Sequence, residues 1–463
     1  MKFYNSLARK IEEFKPINPP KVGMYVCGIT AYDHTHLGHM RAFVNADLLR
    51  RVLESNGFKV VQVENVTDVG HLFGDRDMGE DKLEATAKKV KNSAWEIAKE
   101  YEKEFFETMA KLNVRRPTVV CRATAHIKEM IDLIGKLEKK GFTYKTSDGV
   151  YFNTAKIKDY NRLSGMNLEK LKEGARVEVN PEKENPTDFA LWKFSPKGVA
   201  RQMEWDSPWG VGFPGWHIEC SAMGMKYLGK KIDIHTGGED HISVHHTNER
   251  AQNMAAVGRE VVNYWFHSVF LLVEGEKMSK SLKNFYWLKD VCDRGFDPLA
   301  LRYLFLTAHY RTQLNFTWKG LTSAQIAYRK LIGLVREWRQ EGKSPASKKG
   351  LEKIDHFRQE FQEKINHDLN LPEALAVVWQ MAKSNLSSSA KLGLILDFDQ
   401  VLGLGLGEVK EIKLPEKVRK LLDKREKLRQ ASKWQEADKI RQQITKLGYK
   451  IEDSSKGVKA NPV

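Results

Sequence analysis

The sequence predicts an α/β fold: a Rossmann-like parallel-sheet domain with an inserted connective region, followed by an α-helical bundle and a small C-terminal domain. Three observations predict it. Residues 22–27 form a short apolar, β-prone run that stops at Gly28. From Leu37 to Ser55 the residues Ala42, Val44, Ala46, Leu48, Leu49, Val52 and Leu53 give a helix one apolar side, Asn56-Gly57 ends it, and residues 59–66 return to a β-prone run. Strand, helix, strand is a unit that joins parallel strands. From about residue 320 the pattern changes to long helices at 323–340, 353–366 and 372–384, then a Gly-rich break at 402–407 and a basic helical pair at 416–430 and 435–446.

Between these ends the chain is less regular. Residues from about 90 to 140 are charged and helix-rich. A hairpin is expected at 144–151 around Asp148-Gly149. Residues 162–188 are polar, with Pro181 and Pro186, and read as an irregular insertion. A short strand at 232–235 runs into Gly237-Gly238, a helix is expected at 244–257, and a strand at 264–273 reaches a turn at Gly275. A chain of 463 residues exceeds what one core supports. The expected division is 1–110 with 205–318 as the Rossmann-like domain, 111–204 as the insertion, 319–410 as the helical bundle, and 411–463 as the small basic domain.

Composition narrows the function classes. The net charge is +16, and residues 411–463 hold 15 Lys and Arg against 8 Asp and Glu, so +7 of it lies in the tail. That balance suits a polyanionic partner, because phosphate neutralisation drives nucleic-acid binding; a merely soluble basic protein would look the same from charge alone. Cys27, Cys121, Cys220 and Cys292 are widely spaced and form no CxxC, which argues against a disulfide framework and leaves free thiols or scattered metal ligands. The sequence holds no apolar run of about 18 residues, and its first twenty residues carry charges and prolines. A cytoplasmic protein without membrane contact is expected.

Two short strings carry chemistry. His36-Leu37-Gly38-His39 stands at a strand-to-helix junction, where outward amide N–H groups favour anions. Gly38, lacking Cβ, lets a flat adenine ring approach the backbone. Lys277-Met278-Ser279-Lys280-Ser281 follows a strand and the turn Glu274-Gly275-Glu276; its two ammonium groups can neutralise phosphates as charge builds at a displacement on phosphorus. Each string alone has a bland reading, a histidine cluster at a helix start or a lysine-rich surface loop. Their joint occurrence after strands of one α/β domain favours a nucleotide site. The chain has no Gly-x-x-x-x-Gly-Lys-Ser/Thr loop, and no Gly-x-Gly-x-x-Gly follows the first strand.

In this order the two strings resemble the paired ATP signatures of class I aminoacyl-tRNA synthetases, and their flanks resemble the cysteinyl-tRNA synthetase family. The resemblance rests on Met-Tyr-Val-Cys-Gly-Ile-Thr-Ala-Tyr-Asp at 24–33, Asn-Val-Thr-Asp at 65–68, Leu-Ser-Gly-Met-Asn-Leu at 163–168 and Asp-Phe-Ala-Leu-Trp-Lys at 188–193. It continues with Trp-Asp-Ser-Pro-Trp-Gly at 205–210, Gly-Trp-His-Ile-Glu-Cys-Ser-Ala-Met at 215–223, Tyr-Trp-Phe-His at 264–267 and His-Tyr-Arg-Thr-Gln-Leu-Asn-Phe at 309–316. The match spans residues 20–320, and Lys-Trp-Gln-Glu-Ala-Asp-Lys-Ile-Arg at 433–441 is similar to the family's small C-terminal domain, where Trp434 is either a base-stacking or a packing residue.

The resemblance implies an enzyme that activates L-cysteine with ATP and Mg²⁺ to cysteinyl-adenylate and pyrophosphate, then charges tRNA-Cys. It implies one Zn²⁺ held by Cys27, Cys220, His245 and Glu249. Without it, His245 and Glu249 read as a surface i, i+4 pair and the thiols as buried cysteines. Zinc binds thiolate well and serine hydroxyl poorly, so a metal discriminates where packing cannot. The resemblance also places Gly28, Thr67, Trp216 and His235 at the amino acid, and Gly38, Gly237, Gly238, Asp240 and Lys280 at ATP, with His36, His39, Lys277 and Lys280 as the catalytic groups. By the same resemblance, 111–204 lies near the acceptor end of tRNA, and the helices from 320 onward are tRNA- and anticodon-binding. Thr236, Glu239, Ser243-Val244, Thr247, Lys283 and the stretch 69–72 depart from the family pattern, which points to a divergent branch. A second reading, the cysteine:glucosaminyl-inositol ligase of mycothiol synthesis, shares the catalytic strings but not the basic tail. A monomer is expected.

Overall fold

In the computed structural model, the described residues are all except 71–82, 85, 88–91, 167–179, 197, 199–200, 279–283, 342–347, 411–414, 455–456 and 463. The first strand of the main sheet, β1 (Lys21–Thr30), is longer than the apolar run that announced it. It is buried on both faces, as a central parallel strand must be. Val22, Met24 and Val26 point into one core and Tyr25 and Cys27 into the other, the two-residue alternation of a strand. Helix α1 (Leu37–Ser55) carries the chain over the first face to β2 (Lys59–Thr67), and α2 (Ala94–Lys111) leads on to β3 (Val119–Arg122).

β3 lies within the stretch expected as insertion, yet it pairs in parallel with β2 and completes the main sheet. After α3 (Ile127–Lys139), the insertion forms its own antiparallel sheet: β4 (Thr143–Lys145), β5 (Gly149–Phe152), β6 (Phe189–Phe194) and β7 (Gly212–Pro214). β7 runs directly into α4 (Trp216–Leu228), which with α5 (His245–Val257) covers the second face of the main sheet. β8 (Ile232–Gly238) and β9 (Val262–Ser268) finish that sheet in the order β9-β8-β1-β2-β3, all parallel. The order reverses between β1 and β8. Open α/β sheets bind ligands in the crevice at such a switch point, outside the carboxyl ends of the strands.

The single strand expected at 264–273 is two. β9 ends at Ser268 and β10 (Leu271–Val273) starts a small separate sheet with β11 (Glu276–Lys277) and β12 (Leu314–Phe316). The break has a visible cause. The buried Arg41 guanidinium of α1 donates to the carbonyls of Val269 (2.8 Å) and Phe270 (3.2 Å), and to those of His309 and Thr312 (3.0 and 2.7 Å). Glu274 and Gly275 both have positive φ, 50° and 85°, and close a two-residue hairpin that delivers Lys277.

Helices α6 (Pro298–Leu306), α7 (Trp318–Gln340), α8 (Lys348–Asn366), α9 (Leu371–Lys383) and α10 (Ser388–Leu402) extend the core on the α1 side. The Ser-rich start of α10 hid it in the sequence; Ser387 caps it by accepting from the Ala390 amide. The last helices, α11 (Glu416–Gln430) and α12 (Trp434–Lys446), share a small core of Val418, Leu422, Ile440, Ile444 and Ile451. They are followed by an antiparallel pair, Tyr449–Ser454 with Gly457–Pro462, that the sequence did not announce. Among the described residues, no helix is long and apolar enough to cross a membrane.

Candidate active site and metal centre

The site begins with an irregularity in β1. Val26 pairs with Glu64 and Ile29 with Val66, so Cys27 and Gly28 together face Asn65. Such a bulge re-aims a side chain next to a site. Its geometry requires glycine: a Cβ on Gly28 would lie 1.6 Å from the Asn65 carbonyl oxygen, and the Gly28 amide donates to Asn65 Oδ1 at 2.8 Å. Cys27, on the bulge, meets α4 and α5 at the switch-point crevice.

There its sulfur lies 3.8 Å from Cys220 Sγ and 3.7 Å from Glu249 Oε1, and Glu249 Oε1 lies 2.9 Å from His245 Nε2. The four ligand atoms of Cys27, Cys220, His245 and Glu249 fall within 4.8 Å of one another, all on buried residues. A second set, Cys27, His235, His246 and Glu249, satisfies the same condition, with Cys27 Sγ 3.4 Å from His235 Nε2 and 3.1 Å from His246 Nε2. Glu249 Oε2 is buried without a hydrogen-bond partner, so the carboxylate has an oxygen to spare. Two sulfurs, an imidazole and a carboxylate form a donor set that fits a zinc ion.

Burial and mutual charge shift the protonation of every member of this set. Burial pushes the Cys27 thiol well above its ordinary value, helped by Cys220 and Glu249. Burial also opposes charge on Glu249, but His235 and His245 hold its carboxyl far below the ordinary range. Burial likewise opposes charge on His245, yet Glu249 and Cys220 raise it to about 10. Cys220, despite burial, is held below its usual value by Cys27 and His245.

His36 is the N-cap of α1. Its Nδ1 accepts from the amides of Gly38 (3.1 Å) and His39 (3.4 Å), which leaves Nε2 as the outward donor. Its ring stacks on the exposed ring of His39 at 3.7 Å. A Cβ on Gly38 would lie 2.6 Å from Met278 Cε, so the close neighbour of this glycine is the lysine motif itself. A Cβ on Gly237 would meet the rings of His246 and His241 at 2.6 and 2.7 Å, and one on Gly238 would meet Asp240 Oδ1 at 2.3 Å.

His36, His39, Gly38, Gly28, Thr67, Trp216, Gly237, Gly238, Asp240 and Lys277 all border one cavity of about 890 Å³, with Cys27, Cys220 and His245 on its wall. Trp216 stacks on His245 at 4.2 Å. Thr67 Oγ1 donates to Glu219 Oε2 at 2.7 Å. His235 is set behind the wall, against Cys27, Glu249 and the ring of Tyr25. Lys280 and Lys283 lie outside the described residues.

Sequence reasoning missed the histidines around this set. His217 Nδ1 sits 3.0 Å from His245 Nδ1; His246 Nδ1 sits 2.7 Å from His267 Nε2, whose Nδ1 reaches Ser6 Oγ at 2.7 Å. His241 lines the cavity. The available signal was the string His241-x-x-x-His245-His246, since His217 and His267 come from separate segments.

Comparisons with known proteins show the family. Residues 13–326 match the family model of the tRNA synthetases class I (C) catalytic domain, and residues 412–459 match the cysteinyl-tRNA ligase anticodon binding domain. The chain is 48% identical over 457 residues to cysteine–tRNA ligase 1 of Burkholderia lata, covering 98% of this chain and 95% of that one. It is 42% identical to a cysteine–tRNA ligase of Thermus thermophilus and 40% to that of Treponema denticola, covering 98% of each chain in both cases. Among solved structures, methionyl-tRNA synthetase of Mycobacterium tuberculosis in complex with methionyl-adenylate shares the fold, with a TM-score of 0.61 at 14% identity over 84% of this chain and 93% of that one. Paired signature strings, a class I sheet and full-length likeness converge: the chain is a class I aminoacyl-tRNA ligase and belongs to the cysteinyl-tRNA synthetase family.

Proposed function

We propose that this enzyme activates L-cysteine with ATP and transfers it to tRNA-Cys. One observation carries the reading: the thiols of Cys27 and Cys220 and the imidazole of His245 stand on the wall of the cavity that His36, His39 and Lys277 also line, with the Glu249 carboxylate converging on them from behind. Cys27, Cys220, His245 and Glu249 would hold Zn²⁺. When bound, the ion supplies a soft Lewis acid that prefers a substrate thiolate to a serine hydroxyl.

The chain's own groups do the rest. The substrate carboxylate is already an anion and needs no base to attack the α-phosphorus of ATP. His36 and His39 donate hydrogen bonds to phosphate oxygens from the start of α1, where the helix itself favours anions. Lys277 and Lys280 neutralise charge on the departing pyrophosphate, with Mg²⁺ bound to ATP. Gly38, Gly237, Gly238 and Asp240 border the place for adenosine, and Gly28, Thr67 and Trp216 that for the amino acid, with His235 behind that wall against Cys27 and Glu249. A terminal ribose hydroxyl of tRNA-Cys then takes the acyl group and AMP leaves. The match of residues 412–459 to an anticodon-binding domain favours tRNA over the glucosaminyl-inositol acceptor of the mycothiol ligase. The tail 411–463 serves as anticodon-binding domain, 319–410 as tRNA-binding bundle and 111–204 as connective insertion beside the acceptor end, with the monomer as the working unit in the cytoplasm.

Cysteine-dependent ATP–pyrophosphate exchange together with charging of tRNA-Cys tests the reading. Exchange without charging overturns the tRNA half in favour of the sugar-amine acceptor. In the same assays Cys220→Ala should lose most bound zinc by elemental analysis, and exchange should fall by roughly 100-fold or more, since even groups supporting metal ligands cost 10–100-fold in affinity or activity.

A further inference from the structure

We propose that the exposed ring of Trp287, cornered by His34, is the stacking seat for the 3′-terminal nucleobase of the tRNA acceptor. This rests on the reaction read above and names the part of the cavity that its second substrate occupies. The reaction needs two nucleosides. The sheet side of the cavity, with Gly237, Gly238 and Asp240, takes that of ATP. The other must come in from solvent and hold its ribose near the adenylate without displacing the first.

Trp287 is placed for this. It follows the lysine motif closely and is 36% exposed, one of the few large apolar side chains left open at the cavity rim. Its position relative to the catalytic histidines is fixed by backbone: Trp287 bridges His36 in antiparallel register, and the Leu37 amide donates to the Tyr286 carbonyl at 3.0 Å. The His34 ring meets the indole at 5.6 Å and 66°, forming a corner that opens to the cavity. His34 is itself held, by Glu104 Oε2 at 2.6 Å and by the edge of Tyr101 at 5.1 Å. Two rings meeting at the rim, with Trp287 36% exposed, leave ring surface open that no packing contact covers. Single-stranded nucleic-acid ends are bound by stacking unpaired bases on such rings, tryptophan and histidine included. Exposed Lys277 on the same rim adds charge for the backbone phosphate that precedes the base.

The test uses full-length enzyme, with Trp287→Ala and Trp287→Phe. The alanine variant should need about tenfold more tRNA-Cys for half-maximal charging, the loss expected of one base–aromatic stack, and the phenylalanine variant should recover most of it. Exchange measured without tRNA should stay within about twofold of wild type, and tRNA-Cys trimmed of its 3′-terminal nucleoside should bind wild type and Trp287→Ala equally. Charging by Trp287→Ala at wild-type tRNA concentrations overturns the proposal. So does a fall in exchange matching the fall in charging, which would assign the ring to ATP. A wild-type enzyme without cysteine-dependent exchange would instead remove the reaction on which the proposal rests.

Discussion

Glu64 lies on β2, 3% exposed, accepting from the Gln62 amide at 3.1 Å. Burial raises its carboxyl to about 8, against the weaker pull of Gln62, Arg116 and Arg50, so it is protonated at neutral pH. Its native pKa exceeds the unfolded value; the stability it contributes is therefore complete below the unfolded value and is lost as pH rises through about 8. Glu64→Gln removes that dependence. Between pH 6 and 9 the wild type should lose about 2–3 kcal/mol relative to the variant, read as diverging urea midpoints. At this scale the sequence was legible in uneven ways. His36 and Lys277 could be read from their strings because the helix start and the hairpin are local. The metal set could not, since Cys27, Cys220 and the His245–Glu249 pair come from three segments, and only family likeness joined them. His217 and His267, each alone in its segment, carry no period or spacing that separates them from surface histidines.

Elements were more legible than sites because periodicity is local. β1, α1 and β2 announced themselves as a unit, whereas α10 was masked by its serines and the two C-terminal strands by their polarity. β3 escaped because four residues of strand leave little pattern. What the sequence could not show was the bulge in β1, although Gly28 was singled out. The structure gives that glycine a more particular task than admitting substrate. Its missing Cβ lets β1 and β2 touch where Cys27 must turn toward α4 and α5. Gly28→Ala should therefore push the strands apart, costing about 3 kcal/mol or more, as overpacking in a filled interior does. Metal content and denaturation midpoint should fall together. Gly135, in the middle of α3, supplies the control: a Cβ there meets nothing within 4 Å, and Gly135→Ala should be neutral or stabilising by about 0.5–1 kcal/mol. Equal effects at the two positions would mean that the bulge is not what holds the thiol.

The whole molecule is tied together at Asp47. This buried carboxylate, in the middle of α1, takes Arg51 Nε at 2.7 Å, Arg302 Nη2 of α6 at 2.6 Å and the Arg115 amide at 2.9 Å. Arg302, fully buried, also donates to the carbonyls of Leu402 and Leu112, and Arg51 to those of Gln400 and Asn113. Four segments remote in sequence thus meet at one carboxylate: the helix that begins at His36, the approach to β3, α6, and the end of α10. Burial opposes the charge, but Arg302 and Arg51 prevail and hold the Asp47 pKa below its ordinary value. The contribution to stability is therefore present above the unfolded carboxylate value and is lost as pH falls through the native one. Asp47→Asn leaves two buried guanidinium groups without their counter-charge, a change that typically costs about 3–5 kcal/mol. The variant should melt at a lower temperature at pH 7, and the gap to wild type should narrow as the pH is taken below 4. Because His36 and the bundle share α1 as a rod, the proposed role of the bundle in binding tRNA leads to an expected order: loosening this joint should reach charging before it reaches tRNA-free exchange. Parallel loss of both at a temperature where the variant is still folded would show that the joint serves the site directly rather than the union of the domains.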